Sequence, residues 1–479
     1  MTPMSISSAT PAPDLTVQGA EVPDPHIATL VLLGASGDLA NRLLMPALGK
    51  LLDAEPQRRG IELLGAGAED WDAQTWTDHL KDSLTAAEVS AETIDALLAT
   101  TSYQQADVTS AADLERLVKA AKPAPALYFA LPPAVTAKAC DALADVALPD
   151  GTVLVLEKPF GTDVASAKAL NARLATLVPE ERTFRVDHFL GRATVLNLLG
   201  VRFANRIFEP VWNNQHVESV DIVFDEQLTL EGRARYYDKA GALVDMIQSH
   251  LLQVMALVAM NPVGEVSAFD LREAKAEILR AARVWGGDPA SASRRARYAA
   301  GDVDGRQVPD YAAEPGVDAS RGTETLAEVV LEVDSWRWAG VPFRLRSGKA
   351  VGVARKEVVV TFKPVPHLPT GLTGACEPDR LRLVMGPDAI ALDLNVNGED
   401  DPMGIDRVSL DTQLHPGRLP AYGEVLAGVL DGDPLLAVRG DTAVECWRIV
   451  DAVLDAWAKD ETPLQTYPAG TQGPEGWPV

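Results

Sequence analysis

Four short segments hold side chains with the makings of chemistry. They read GASGDLANR (34–42), EKPFG (157–161), RVDHFLGR (185–192) and GALVDMIQSHLLQ (241–253). In the first, Gly34 and Gly37 permit a tight turn and close approach of backbone to a pyrophosphate. A helix that follows offers its free N–H groups and positive dipole end to the phosphates. The segment lacks the full GxGxxG pattern, so alone it suits an ordinary glycine-rich turn equally well. In the last segment, His250 is of the type whose unperturbed pKa fits a general base near neutral pH. It opens the apolar stretch HLLQVMALVAM, a setting in which a histidine is more often structural than catalytic. Asp245 precedes it by five residues, ~140° around a helix of 3.6 residues per turn, so the two flank a pocket without sharing a narrow stripe. Lys158 precedes Pro159 at the end of an apolar run, where it either aims into a cleft or sits in a surface turn.

A fifth segment, GAGAEDWDAQTW (65–76), bears on nucleotide choice. At the end of the second strand of a dinucleotide-binding fold, an acid hydrogen-bonds the adenosine ribose, whereas an arginine accommodates a 2′-phosphate. Here Glu69 and Asp70 stand together, with no Arg or Lys before Lys81. Asp70 suits a helix N-cap, which leaves Glu69 as the ribose candidate.

Regular elements must position these residues. IATLVLLG (27–34), IELLGAG (61–67), ALYFALPP (126–133) and TVLVLEKP (152–159) read as buried parallel strands, short, apolar and β-branched. Helical patterns at about 39–52, 71–99 and 134–146 alternate with them, which predicts a doubly wound, Rossmann-like α/β domain over residues 26–186. From 187 to 479 the pattern changes. Residues 217–228, 354–362 and 382–397 alternate apolar and polar side chains, and two helical stretches lie at about 241–260 and 440–459. This predicts an α+β domain on one large antiparallel sheet. The Gly-, Asp-, Ser- and Arg-rich segment 287–323 reads as an exposed insertion or long loop.

At 479 residues the chain exceeds a single core, in keeping with two domains. Its net charge of −25 argues against non-specific nucleic-acid binding. It also means that an anionic substrate needs a local basic pocket. No window of ~18 uncharged apolar residues suggests a membrane span. Residues 1–25 are polar and Pro-rich without an apolar core, and read as a disordered leader, not a secretory signal. Cys140, Cys376 and Cys446 are scattered, which fits a reducing cytoplasm and no zinc or other metal site.

Taken in order, the motifs closely resemble the glucose-6-phosphate dehydrogenase family. RFANRIFEPVWN (202–213), EGRARYYDKAGAL (231–243), VPFRLRSGKAV (341–351) and CWRIVDAVLDAW (446–457) also match in place, so the likeness spans about 450 residues. The resemblance implies oxidation of β-D-glucose 6-phosphate at C1 with hydride transfer to a nicotinamide dinucleotide, in a homodimer or homotetramer. It implies His250 as the base, Asp187 as the acid that orients it, and Lys158 as a residue touching substrate near the nicotinamide, with a cis Lys158–Pro159 bond. Glu226 and Asp245 match residues that bind sugar hydroxyls. His188, Arg192, Lys349 and, with a one-residue offset, Arg355 match the substrate and phosphate ligands. Gly34, Ser36, Gly37, Asp38, Leu39, Glu69 and Lys158 fall on the cofactor side.

Two departures qualify that reading. The family pattern Asp-His-Tyr-Leu-Gly-Lys is Asp187-His188-Phe189-Leu190-Gly191-Arg192 here, followed by Ala193 where the family continues with Glu. A hydroxyl donor is lost, and a compact ammonium is exchanged for a planar guanidinium. The family's arginine for the NADP 2′-phosphate aligns with Ala68, beside Glu69. NAD is therefore expected as the preferred cofactor and NADP as a weaker one. The alternatives are an NAD-dependent dehydrogenase of glucose or of a related sugar such as a 6-sulfonate, and a catalytically silent paralogue that senses NAD or a sugar phosphate.

Overall fold

The computed structural model describes residues 27–415 and 417–477; the expected leader lies outside them. Six parallel strands form the first sheet: β1 (Thr29–Leu33), β2 (Glu62–Gly67), β3 (Ser102–Gln105), β4 (Ala126–Phe129), β5 (Val153–Glu157) and β6 (Thr183–Val186). Their order is β6-β5-β4-β1-β2-β3. Every residue of β1, β4 and β6 is buried, as expected where helices cover both faces. Strand order reverses between β1 and β4. The chain therefore leaves a crevice at their carboxyl ends, the usual binding place in such sheets.

The second sheet is larger. It begins with β7 (Val217–Asp225), β8 (Ala282–Val284) and β9 (Ser293–Ala299); a small hairpin, β10 (Gly301–Val303) and β11 (Arg306–Val308), stands apart. It continues with β12 (Leu326–Val333), β13 (Phe343–Gly348), β14 (Arg355–Phe362), β15 (Arg380–Met385), β16 (Asp388–Asn397) and β17 (Ile405–Gln413). Two late strands follow, β18 (Ala437–Val438), which joins the first sheet, and β19 (Leu464–Pro468), which joins the second. The order is β17-β16-β15-β14-β7-β13-β12-β9-β19, with β8 also on β12. Most neighbours run antiparallel, but β13 lies parallel to β7 and β19 parallel to β9, so the sheet is mixed.

The helical run Ala234–Ala259 packs against this sheet. By length and composition it could cross a membrane, but 83% of its apolar window is buried inside the protein. It is a core segment broken at Gly241, and the helix after the break carries Asp245 and His250.

Three local expectations need correction. The segment 287–323 is not a loop: β9 is a strand of the large sheet, flanked by β12 and β19. Ser293, Ala296 and Tyr298 are buried there, while Arg294, Arg295 and Arg297 take the more exposed positions and hide the alternation. The helical stretch 71–99 is two helices, Ala73–Ala86 and Ala91–Thr100. The first is capped by Asp72, whose carboxylate accepts the Thr75 N–H at 2.8 Å, and not by Asp70.

The late chain also returns to the first sheet. Strand β18 pairs antiparallel with β6. Helix Ala421–Asp431 packs on helix Met45–Ala54, burying Leu426, Val429 and Leu430.

Candidate active site

The cofactor end is built on the turn after β1. Gly34 has φ +86°, and a Cβ there would lie 2.5 Å from the Ala130 carbonyl oxygen, so only glycine fits. The turn borders a groove of about 850 Å³ whose walls include Ser36, Ala68, Glu69, Asp107, Asp113, Arg116 and Leu131. A bare backbone turn in a crevice at the switch point of the sheet is a cradle that fits a dinucleotide. The Ser36 hydroxyl donates to the Glu69 carboxylate at 2.6 Å, which holds that acid at the groove wall. Gly37, Asp38 and Leu39 frame the turn. The Gly37 N–H donates to the Gly34 carbonyl at 3.0 Å, and Asp38 turns to solvent beside Arg42, 3.5 Å away.

The catalytic end gathers side chains from distant parts of the chain. Asp187 follows β6, and His250 lies in the long helix. The His250 Nδ1–H donates to Asp187 Oδ1 at 2.5 Å, with both residues fully buried. The Phe189 N–H donates to the same oxygen at 2.9 Å, and the Phe189 ring stacks on the imidazole with centroids 4.2 Å apart. This fixes the ring's tilt and assigns the tautomer. His250 Nε2 is left without a hydrogen-bond partner among the described residues. Burial lowers the His250 pKa below the usual histidine value, against the pull of Asp187. For Asp187, burial acts upward, but His250, His188 and the Phe189 N–H together outweigh it, and its pKa lies below the usual carboxylate value.

Lys158 follows β5 directly and enters a cis Lys158–Pro159 bond. Its ammonium donates to the Asp245 carbonyl at 2.7 Å and to Asp245 Oδ1 at 3.2 Å. Burial raises the Asp245 pKa, but Lys158, Arg233 and Lys349 outweigh it and bring it to about 2. Asp245 and His250 stand closer in angle than α-helical spacing predicts, because Leu243–Leu251 is a π-helix. With i→i+5 hydrogen bonds, residues five apart fall on adjacent turns of nearly one face.

The second cluster lies on β7 and its neighbours. Glu226 accepts from Lys349 at 3.0 Å and from Lys356 at 3.4 Å. Lys356 and Arg192 both stand over the Phe224 ring, 4.7 and 5.9 Å from its centroid, and both border Gly386. His188 lies edge-on to His250 and stacked on Tyr422. Burial, reinforced by Lys158, Arg192 and any charge on His250 against the pull of Asp187, brings its pKa down to about 3, so at neutral pH it is a neutral donor. Behind it, Glu157 accepts from Tyr128 at 2.6 Å; burial raises this carboxyl to about 7.

Most of the expected site residues thus meet: Lys158, Asp187, His188, Arg192, Glu226, Asp245, His250 and Lys349. Arg355 does not. It lies opposite Asp225 on the other face of β14, its guanidinium paired with Glu357 at 2.5 Å. Lys356 takes the place expected of it, because successive strand residues point to opposite faces. Sequence reading also missed Tyr422, which reaches His188 from a helix far along the chain. Nothing near either residue in sequence signals that contact.

Comparison with known proteins places the whole chain in one family. Residues 31–197 match the glucose-6-phosphate dehydrogenase NAD binding domain, and residues 199–477 match the C-terminal domain of the same family. The glucose-6-phosphate 1-dehydrogenase of Gluconobacter oxydans is 37% identical over 463 residues, covering 93% of this chain and 94% of that protein. That of Dickeya dadantii is 34% identical, with the same coverage of both. Among solved structures, glucose-6-phosphate 1-dehydrogenase from Mycobacterium avium superposes with a TM-score of 0.82 at 32% identity, covering 94% of this chain and 96% of that one. A glucose-6-phosphate dehydrogenase in complex with its substrate glucose-6-phosphate gives 0.83 at 26% identity, with the same coverage.

Proposed function

The chain belongs to the glucose-6-phosphate dehydrogenase family, and from that premise we propose a reaction and a division of labour among its residues. It oxidises glucose 6-phosphate at C1 to the 6-phosphoglucono-lactone. A nicotinamide dinucleotide, held by the turn after β1 and the groove beside Glu69, would supply the hydride acceptor for C1, with NAD preferred over NADP. His250 Nε2 takes the proton of the C1 hydroxyl as the hydride leaves, and Asp187 stabilises the imidazolium that forms. Lys158 and Asp245, locked together, orient the sugar hydroxyls beside that base, and Glu226 adds an acceptor. Arg192, Lys349, Lys356 and neutral His188 hold the C6 anion. The observation that carries the reading is the buried Asp187–His250 contact at 2.5 Å, adjoining the Lys158–Asp245 pair at 3.2 Å.

The cofactor preference rests on the groove wall. A 2′-phosphate would face Glu69, with Ala68 where the family carries arginine. The one cation lining that groove among the described residues is Arg116, already committed to Asp113 at 3.1 Å and to the Gln105 carbonyl at 2.8 Å. A missing charged hydrogen bond is worth about 1.5–3 kcal/mol, and repulsion by Glu69 adds to it.

The test is a matrix of kcat/KM for glucose 6-phosphate, glucose and a sugar 6-sulfonate, each with NAD and NADP. Glucose 6-phosphate with NAD should rank first. A higher value with NADP would overturn the cofactor preference. A higher value with glucose would overturn the anion site, and one with the sulfonate would reassign its ligand.

A further inference from the structure

Behind the dyad lies a lysine for which the proposed reaction has no use. Lys275, on helix Ala268–Ala281, is only 2% exposed. Its single hydrogen-bond partner among the described residues is Gln253 Oε1, at 3.4 Å. Gln253 is itself buried and lies three residues after His250 in the same helical run; its amide reaches Cys446 Sγ at 3.5 Å. No carboxylate forms an ion pair with Lys275 among the described residues. The other cations nearby are already matched: Arg272 donates to Glu180 at 2.9 Å, and Arg439 pairs with Asp441 and Glu273 at 2.7 Å. Asp187, the acid of the dyad, is only half matched. Its Oδ1 serves both His250 and Phe189, while its Oδ2 is buried without a partner. A buried ammonium held only by an amide oxygen and a buried carboxylate oxygen without a partner balance each other through the low-dielectric core.

We propose that Lys275 is a positioning residue of the dyad: its buried charge, anchored on Gln253, offsets Asp187 and keeps His250 neutral before substrate reacts. Without that charge, the buried carboxylate leans more heavily on His250, its nearest counter-charge, and draws a proton onto it. The base is then already protonated at neutral pH. The groups facing Lys275 are Asp187 and Cys446 from the neighbouring elements, Arg272 from its own helix, and Arg439. Those facing His250 are Asp187, Lys158, Asp245 and His188. Burial brings the ammonium down to about 8, and Asp187 is the charge that chiefly holds it up. Lys275 is therefore still charged at neutral pH.

This inference rests on His250 being the base. The test is the pH profile of kcat/KM for Lys275→Met, which keeps the side chain's length and apolar stem. The pKa of the acid limb should rise by about half a unit or more. Activity at pH 7 should fall and recover as pH is raised, with thermal stability retained. Lys275→Arg should keep the wild-type profile. Should Lys275→Met fold poorly, Gln253→Met, which removes the anchor, should move the limb in the same direction. An unmoved acid limb in a folded Lys275→Met, or in a folded Gln253→Met, overturns the proposal. His250→Asn separates the two readings: if it leaves turnover intact, the assignment of the base fails. If it abolishes turnover while the acid limb of Lys275→Met stays put, only the role of Lys275 fails.

Discussion

At the scale of single residues, neighbours give the site's side chains their properties. His250 is available as a base because its Nδ1 is tied to Asp187 and its ring is clamped by Phe189. At the phosphate cluster, adjacent cations part company. Lys356→Met should raise the KM for glucose 6-phosphate and cost about 10–150-fold in kcat/KM, the value of a charged hydrogen bond. Arg355→Met, on the far face of the strand, should leave that KM within about twofold. Steady-state kinetics on the pair decides, and the opposite ranking would restore the sequence assignment. At the cofactor wall, Ala68→Arg combined with Glu69→Ser should move the NADP/NAD ratio of kcat/KM upward by about tenfold or more. An unchanged ratio would place the selection elsewhere in the groove. The residue types were legible in the sequence, since a family pattern names Asp187, His250 and Lys158 without any structure. The choice between Arg355 and Lys356 was not. It depends on which face of β14 meets Phe224, and that is set by pairing with β7.

At the scale of elements, two devices place these groups. The first is the π-helix Leu243–Leu251, which brings Asp245 beneath Lys158 and nearly in line with His250. Nothing in LVDMIQSHL distinguishes it from an α-helix, so the α-helical angle is the natural prediction and the wrong one. The second is the start of that helix. Glu324 accepts the Leu243 N–H at 2.9 Å, and Gly241, at φ +65° and ψ 177°, passes so close that a Cβ would lie 2.2 Å from the Glu324 carboxylate. Gly241→Ala should therefore destabilise the protein by at least about 1–3 kcal/mol, the cost of a backbone region almost reserved for glycine. It should also lower kcat by shifting Asp245 and His250 together. Urea unfolding with parallel kinetics tests this, and wild-type stability would remove Glu324 and Gly241 as the helix's anchor.

At the scale of the whole molecule, the two sheets are bound together by chain that crosses between them. The main-chain N–H of Ile27 donates to the Leu430 carbonyl at 3.1 Å, Arg58 pairs with Asp431 at 2.8 Å, and β18 extends the first sheet beyond β6. A fragment of residues 27–197 lacks all three and exposes the apolar face of helix Met45–Ala54. It should show no cooperative thermal transition by circular dichroism; a transition like that of the full chain would show the first sheet to be self-sufficient. By itself the sequence determined what neighbours along the chain can enforce. It set the glycine turn after β1, the apolar parallel strands, the capped helices and the order of the motifs, since sterics and alternation act over a few residues. Only the tertiary structure decided which groups meet. Asp187 and His250 are 63 positions apart, Lys158 and Asp245 are 87 apart, and Tyr422 reaches His188 from a late helix. Such contacts follow from how buried faces pack, and no local pattern carries that information.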